Sequence, residues 1–279
     1  MNFIEEIIEG GDKSNLMFRF PPEPNGHLHL GHAKAICLNF DLAHKYQTGC
    51  NLRFDDTNPL SEDSIFADSI MEDVAWLGYR PTDVEETSNY FQFIQDRAIQ
   101  LIIQGDAYMD DSSSEEIAEL KGDLENPGTD SPYRNRSVAE NLEEFRKLCE
   151  GSIKTVLRAK IDMANPNLLM RDPVIYRSID KPHHNTGTEF KAYPMYDFAH
   201  PLSDWKEGIT HSLCTLEFEA HRPFYEWVLT SLFKGPLPRQ IEFSRLNVED
   251  MILSKRYLKK MVEDGIVDGW DDPRMPTLK

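Results

Sequence analysis

The chain has 279 residues, 40% of them hydrophobic and 28% charged, which excludes a disordered or fibrous chain and suits one large domain or two smaller ones. The formal net charge of −18 is the reverse of the usual nucleic-acid footprint, so any contact with RNA must rest on local basic clusters. Three such stretches exist: Arg134 with Arg136, Lys154 with Arg158 and Lys160, and Lys255-Arg256 with Lys259-Lys260.

Met1 to Glu6 carries no basic region before an apolar core, and no apolar run reaches bilayer length. A soluble, cytoplasmic protein with no membrane partner is expected. Cys37, Cys50, Cys149 and Cys214 are dispersed and form no CxxC pair, which favours reduced thiols over a disulfide framework or a zinc site.

In chain order, Leu16–Phe20 reads as a strand stopped by Pro21-Pro22, followed by a Pro/Gly loop and a helix to about Tyr46, with Ile36, Phe40 and Ala43 on one face. Asn51–Phe54 is a second strand running into Asp55-Asp56, and Phe66, Ile70, Val74 and Leu77 give a helical stripe over 61–77. Strand, helix, strand, helix predicts a parallel sheet with right-handed crossovers, whose ligands sit beyond the carboxyl ends of the strands. Phe91–Gln104 is a third amphipathic helix. The stretch 110–135 is polar and turn-rich, Val156–Ile161 and Val174–Tyr176 are strand-like, and alternation resumes near Tyr196. Ile209–Leu216 and a helix over Phe224–Leu232 follow, and residues 247–279 begin a further helical piece. This reading makes 1–88 and 196–246 two halves of a doubly wound domain, with 89–195 inserted between them.

Two short words carry chemistry. His29-Leu30-Gly31-His32 opens a helix just after a strand, where two imidazoles can donate to phosphate oxygens and the helix dipole already favours anions. Gly31 lets a nucleotide base lie against the backbone. Leu253-Ser254-Lys255-Arg256 offers a mobile lysine suited to charge on a transferring phosphoryl group.

Together they resemble the HIGH and KMSKS signatures of class I aminoacyl-tRNA synthetases. Arg53–Pro59, Tyr193–Phe198 and Trp270–Pro276 narrow the resemblance to the glutamyl/glutaminyl branch, from about residue 16 to the end. The resemblance implies an α/β fold: a doubly wound, Rossmann-like (HUP-type) parallel-sheet catalytic domain, an inserted α+β acceptor-stem-binding domain, and the start of a helical subdomain. Within the branch, Gly208–Phe218 is similar to glutaminyl members, and glutamyl enzymes of the archaeal and eukaryotic kind typically carry arginine where Cys214 stands. A carboxylate substrate calls for a fixed guanidinium, whereas beside an amide that cation would be buried and unpaired. Small, neutral Cys214 therefore fits an amide, although a packed core thiol reads equally well.

Carried over residue by residue, the resemblance implies that His29, His32 and Lys255 are catalytic. Glu23, Pro24, Asn25, His29 to Ala35 (Leu30, Gly31, His32, Ala33 and Lys34 among them), Thr215, Arg245, Leu246, Leu253, Ser254 and Lys255 are expected around ATP, with Mg2+ arriving on the nucleotide rather than at a protein metal site. Asp55 is expected to take the substrate α-ammonium, with Arg19, Tyr196, Ser212, Cys214, Phe218 and Gln240 around glutamine. The implied reaction is attack of the glutamine carboxylate on the α-phosphorus of ATP, then transfer to the terminal ribose of bound tRNA. Leu124, Arg134 and Arg136 are candidates for the acceptor end; Leu124 reads either as the leucine that pries open the first base pair or as an exposed turn residue. No DNA partner and a monomeric state are expected.

Two departures stand out. Ala220 occupies a place near which family members carry an aspartate that reads the stem. The resemblance also stops at Lys279, before the two anticodon-binding β-barrels, which predicts a fragment or a short paralogue. Rival readings are a glutamyl-type enzyme, a non-catalytic paralogue that binds nucleotide or amino acid, and a small-molecule nucleotidyltransferase. The intact histidines and lysine speak against the second, and the Asp55 and Tyr193–Phe198 words against the third.

Overall fold

Helix α1 (Phe3–Glu9) leads into strand β1 (Met17–Phe20), helix α2 (Leu30–Lys45), strand β2 (Gly49–Phe54), helix α3 (Ser64–Trp76) and strand β3 (Val84–Glu86). Helix α4 (Phe91–Gln104) precedes strand β4 (Ala107–Asp110), helices α5 (Ser114–Lys121) and α6 (Val138–Cys149), and strands β5 (Val156–Ala159), β6 (Val174–Ser178) and β7 (Ala192–Pro194). The chain continues through α7 (Tyr196–Lys206), β8 (His211–Thr215), α8 (Arg222–Leu232), β9 (Arg239–Phe243) and α9 (Lys255–Glu263). The structure, a computed structural model, describes residues 2–60, 64–246, 248, 253, 255–270 and 272–278, with backbone alone for 64, 255 and 256.

Strands β1, β2 and β3 are parallel, with Phe18 opposite Cys50 and Phe54 opposite Glu86. β8 and β9 are parallel as well. β8 runs beside β1: the Thr210 amide donates to the Met17 carbonyl at 3.0 Å, and Arg19 Nη1 to the Leu213 carbonyl at 2.9 Å. The strands thus lie in the order β3-β2-β1-β8-β9, and the winding reverses between β1 and β8, where a doubly wound sheet opens its ligand crevice. Phe18, Leu52, Leu213 and Ile241 from the strands form one core with Ile36 and Phe40 of α2 and Ile70 and Val74 of α3.

A second sheet, β4-β5-β6-β7, is antiparallel throughout. Its core joins Ile94 and Leu101 of α4 and Phe145 of α6 to Phe198 of α7 and Val228 of α8, so the antiparallel layer and the second half of the parallel layer share apolar packing.

The stripes predicted on α2 and α4 are buried as expected, and α4 ends at Gly105 in the left-handed conformation (φ 83°), a regular helix stop. Elsewhere the structure differs from the sequence reading. The polar stretch 110–135 contains α5, started by a capping box between Ser113 and Glu116. The strand expected over Val156–Ile161 ends at Ala159, whereas the alternation of elements expected from Tyr196 is present as α7, β8, α8 and β9. Arg158 is no surface cation: it is fully buried, with Nη1 2.8 Å from Asp110 Oδ2 and Nε donating to the Asp172 carbonyl at 2.7 Å.

The parallel sheet also buries charge. Arg19 Nε and Arg53 Nη1 lie 3.1 and 2.8 Å from Asp204 Oδ1, and all three side chains are fully buried. Arg53 also pairs with Asp55 at 2.8 Å and Glu207 at 3.3 Å. Burial alone would raise the Asp204 pKa, but Arg19, His200 and Arg53 outweigh it and hold the carboxyl well below its ordinary 3.8. Removing this charge strands two guanidiniums without their shared partner, so Asp204→Asn is expected to lower stability at neutral pH by about 3–5 kcal/mol in urea unfolding. Because the folded pKa is depressed, the contribution is present above pH 3.8 and lost as pH falls toward the folded value, so mutant and wild-type curves should converge in acid. A mutant equal to wild type at pH 7 would remove the carboxylate from this balance.

Candidate active site

At the carboxyl ends of β1, β8 and β9 the sheet opens into a cleft of about 800 Å³, lined by the Pro21–Asn25 loop, His29, His32, Cys214, Phe218 and Leu253, among others. The start of α2 defines its chemistry. His29 is the N-cap, and its Nδ1 accepts the Gly31 amide at 3.1 Å, while His32 Nδ1 accepts the His29 amide at 3.1 Å. An Nδ1 that accepts carries no proton, so in the neutral rings the N–H is at Nε2. Two backbone amides thereby set both tautomers, and the rings lie 3.9 Å apart. The result is a pair of Nε2–H donors at a helix N-terminus, an anion site in both charge and geometry.

Gly31 has a second reason to be glycine. A Cβ there would stand 2.8 Å from His29 Cε1 and 3.0 Å from Nδ1, so any side chain pushes the capping imidazole away. Lys34 Nζ donates to the Ser244 carbonyl at 2.5 Å, tying α2 to the end of β9. At the mouth, Thr215 Oγ1 and Arg245 Nη1 donate to Glu217 at 3.1 and 2.7 Å. Leu253 is buried in the wall; Ser254 and the Lys255 side chain lie outside the described residues.

The Trp270–Pro276 word meets this motif in space. The Leu30 amide donates to the Pro276 carbonyl at 3.0 Å, the Leu278 amide to the Leu28 carbonyl at 3.1 Å, and Trp270 packs on His27 with ring centroids 5.7 Å apart.

The other end of the crevice is built on the buried ion pairs. Asp55 is 3% exposed; its Oδ1 accepts from Arg53 Nε at 2.8 Å and Thr87 Oγ1 at 3.1 Å, whereas its buried Oδ2 has no partner among the described residues. An orphaned carboxylate oxygen is costly unless something cationic fills it. Tyr196 packs against Phe218 and His200, and burial, with Asp55 and Cys214 nearby, raises its pKa well above 10, so the phenol keeps its proton. Burial likewise pushes the Cys214 thiol up, which makes it an inert wall rather than a nucleophile.

Arg19, Ser212 and Gln240 lie in the layer beneath the cleft. Arg19 Nη2 donates to Ser212 Oγ at 2.7 Å and to Cys214 Sγ at 3.5 Å, and Gln240 Nε2 donates to the Phe218 carbonyl and Glu242 Oε1, each at 3.0 Å. A guanidinium therefore does stand behind Cys214, contrary to the simple picture of a wall remote from charge. The wall is compensated rather than uncharged: two arginines face Asp55, Asp204 and Glu207. Burial raises Glu207 above its ordinary value despite Arg53, with the Asp204 charge adding to the rise. The sequence reading missed Asp204, His200 and Thr87. Only the i, i+4 spacing of His200 and Asp204 on a helix could have hinted at them.

Arg134 pairs with Asp172 at 2.6 Å, and Arg136 with Asp111, so both are engaged in ion pairs on the protein. Leu124 is 82% exposed, and Ala220 accepts from Asn167 Nδ2 at 2.7 Å through its carbonyl. Asp56, His183 and His184 bring potential metal ligands within 4.8 Å of one another. However, His183 Nε2 lies 2.7 Å from the Asp56 carbonyl and its Nδ1 accepts the Asn185 amide at 3.2 Å, which leaves no ring lone pair for a metal.

A doubly wound sheet whose switch point holds paired imidazole donors at a helix N-terminus defines an α/β nucleotide-binding catalytic domain. The family described as class I tRNA synthetases (E and Q), catalytic domain, matches residues 15–279, and the chain belongs to it. It is 54% identical over 284 residues to a glutamine–tRNA ligase of Clostridium perfringens, covering 99% of this chain and 51% of that protein. A glutamine–tRNA ligase of Proteus mirabilis is also 54% identical, over 285 residues, with the same coverage. The chain thus spans about half the length of the curated relatives it matches. A glutamate-tRNA synthetase structure from Elizabethkingia anophelis shares the fold, with a TM-score of 0.63 at 23% identity over 88% of this chain and 54% of that one.

Gly31→Ala is expected to displace the His29 ring and cost about 1 kcal/mol, the worth of a helix N-cap, measured by urea unfolding. Unchanged stability, with the backbone amide at position 31 still protected from exchange in the variant, would mean that the imidazole yields without losing its cap.

Proposed function

We propose that this chain is the amino-acid-activating part of an enzyme that joins L-glutamine to its tRNA. In this reading the glutamine carboxylate attacks the α-phosphorus of ATP, forming glutaminyl-adenylate and releasing pyrophosphate. A hydroxyl of the terminal ribose of tRNA then takes the glutaminyl group and AMP leaves. The observation that carries the reading is a cleft lined by two Nε2–H donors, with the unpartnered Asp55 Oδ2 buried beside its wall, where the Asp55 amide donates to the carbonyl of the lining residue Pro22 at 3.0 Å. The first suits a polyphosphate; the second suits an α-ammonium.

His29 and His32 donate to phosphate oxygens as charge moves onto them, and Lys255 approaches from the second motif. Such a transfer requires positioning and charge stabilisation more than a covalent enzyme group. Mg2+ enters with the nucleotide. Asp55 holds the ammonium, and Tyr196 and Phe218 flank the side chain. The amide is preferred over a carboxylate because Asp204 already compensates the Arg19 charge behind Cys214. Names of relatives at 54% identity support glutamine over glutamate. In the same reading, 1–88 and 196–246 form the catalytic domain and 89–195 the acceptor-stem domain, supported by four antiparallel strands between Ala107 and Pro194. Residues 247–279 begin the helical subdomain, and Leu124 meets the first base pair of the acceptor stem.

Calorimetric titration with non-hydrolysable glutaminyl- and glutamyl-adenylate mimics tests the reading, with preference for the glutaminyl mimic expected. Preference for the glutamyl mimic overturns the substrate, and binding of neither overturns the site. In the full-length enzyme, His32→Ala and Lys255→Ala are each expected to slow activation by roughly two orders of magnitude or more while the protein remains folded by circular dichroism. Wild-type rates would remove these residues from the step.

A further inference from the structure

The turn that carries Leu124 is built with unusual rigidity for an exposed loop. Asp123 Oδ1 accepts the Glu125 and Asn126 amides, each at 2.8 Å, and the Asp123 amide closes the turn on the Asn126 carbonyl at 3.1 Å. Gly122 enters it at φ 68°, where a Cβ would stand 2.7 Å from the Asn126 carbonyl oxygen, so only glycine fits. At the far end the Gly128 amide donates to the Met163 carbonyl and the Thr129 amide to the Leu120 carbonyl, both at 2.8 Å.

Beneath the turn lies Arg171, 3% exposed. Its Nη1 reaches the carbonyls of Lys121, Asp123 and Asn126 at 2.8, 2.9 and 3.0 Å, and its Nε donates to the Asn165 carbonyl at 2.6 Å. No carboxylate pairs with it among the described residues. A buried guanidinium without a carboxylate is expensive to place, and here it draws three carbonyls of one short turn inward. With those carbonyls pinned, the apex side chain can only point out, and Leu124 is 82% exposed.

We infer that Arg171 is a positioning residue for the tRNA acceptor end: it fixes the 121–128 turn in its leucine-out form before RNA arrives. The inference rests on the reading of Leu124 given above. A preset wedge pays its ordering entropy during folding, so binding has only the base pair to open. A loose turn has to be ordered and open the pair in one encounter. Lysine cannot replace the fork, because a single ammonium cannot span three carbonyls and Asn165.

The test uses the full-length enzyme and two glutamine-accepting tRNA transcripts, one with its first acceptor pair intact and one with that pair mismatched, each carrying 2-aminopurine at the first pair. A mismatched pair costs least to open. Arg171→Lys is expected to lower affinity and opening fluorescence for the paired transcript about tenfold, yet to bind the mismatched one within about twofold of wild type. Gly122→Ala, which distorts the turn without touching the buried charge, should give the same pattern and decides the matter if Arg171→Lys fails to fold. Leu124→Ala separates the layers. If it does not discriminate between the transcripts, the Leu124 reading fails. If it discriminates but Arg171→Lys and Gly122→Ala bind both transcripts like wild type, the inference alone is overturned. Equal losses on both transcripts in folded variants would also overturn it, reducing Arg171 to a structural residue.

Discussion

Arg19 on β1 and Arg53 on β2 are carried fully into the interior, and the crevice between β1 and β8 is habitable for charge only because Asp204 stands between them. Parallel strands covered on both faces normally read as apolar runs; Met17-Phe18-Arg19-Phe20 and Asn51-Leu52-Arg53-Phe54 break that rule on one face of the sheet, since Arg19 pairs in register with Asn51, two residues before Arg53. The departure has a use. Through Arg53 the balance reaches Asp55, and through Arg19 it reaches Ser212 and Cys214. One carboxylate on α7 therefore sets the electrical tone of both walls proposed to meet an amino acid. Tyr225 and His200 share its second oxygen at 2.9 and 3.0 Å, so its orientation is fixed from the other side as well.

The end of the cleft proposed for the nucleotide is organised differently. There the backbone, not a buried ion pair, does the orienting: the amides of His29 and Gly31 select the imidazole tautomers. Residues 276–278 lie along Leu28–Leu30 through an isolated bridge between His29 and Thr277, so the first motif and the end of the Trp270–Pro276 word are joined by main-chain hydrogen bonds.

Much of this was legible from residues alone where periodicity is long. Helix α2, with Ile36, Phe40 and Ala43, and helix α4, with Phe91, Ile94, Ala98 and Leu101, bury the stripes that their spacing predicts. Short elements escaped. β3 and β7 have three residues each and β4 has four, too few for alternation to declare itself. Helices α5 and α6 bury little or follow a polar stretch, yet each opens on a Ser-x-x-Glu capping box, Ser113 to Glu116 and Ser137 to Glu140, and that signal went unread. Residues in unusual local words could be proposed from sequence, whereas Asp204 and Arg171 could not. Both act through partners distant in sequence, with separations of 185 and 151 residues for the two arginines on Asp204. A basic stretch in sequence also said nothing about burial: Arg158 is interior, and Arg134 is tied to Asp172.

The capping role of His29 changes what an intact first motif means for descent. One ring both holds the amide that starts α2 through Nδ1 and presents Nε2–H to the cleft, so the folded helix and the proposed phosphate contact depend on the same side chain. Lys255 belongs to a different element, α9. A lineage that abandoned the proposed chemistry while keeping the fold would still retain His29 as scaffolding for the start of α2.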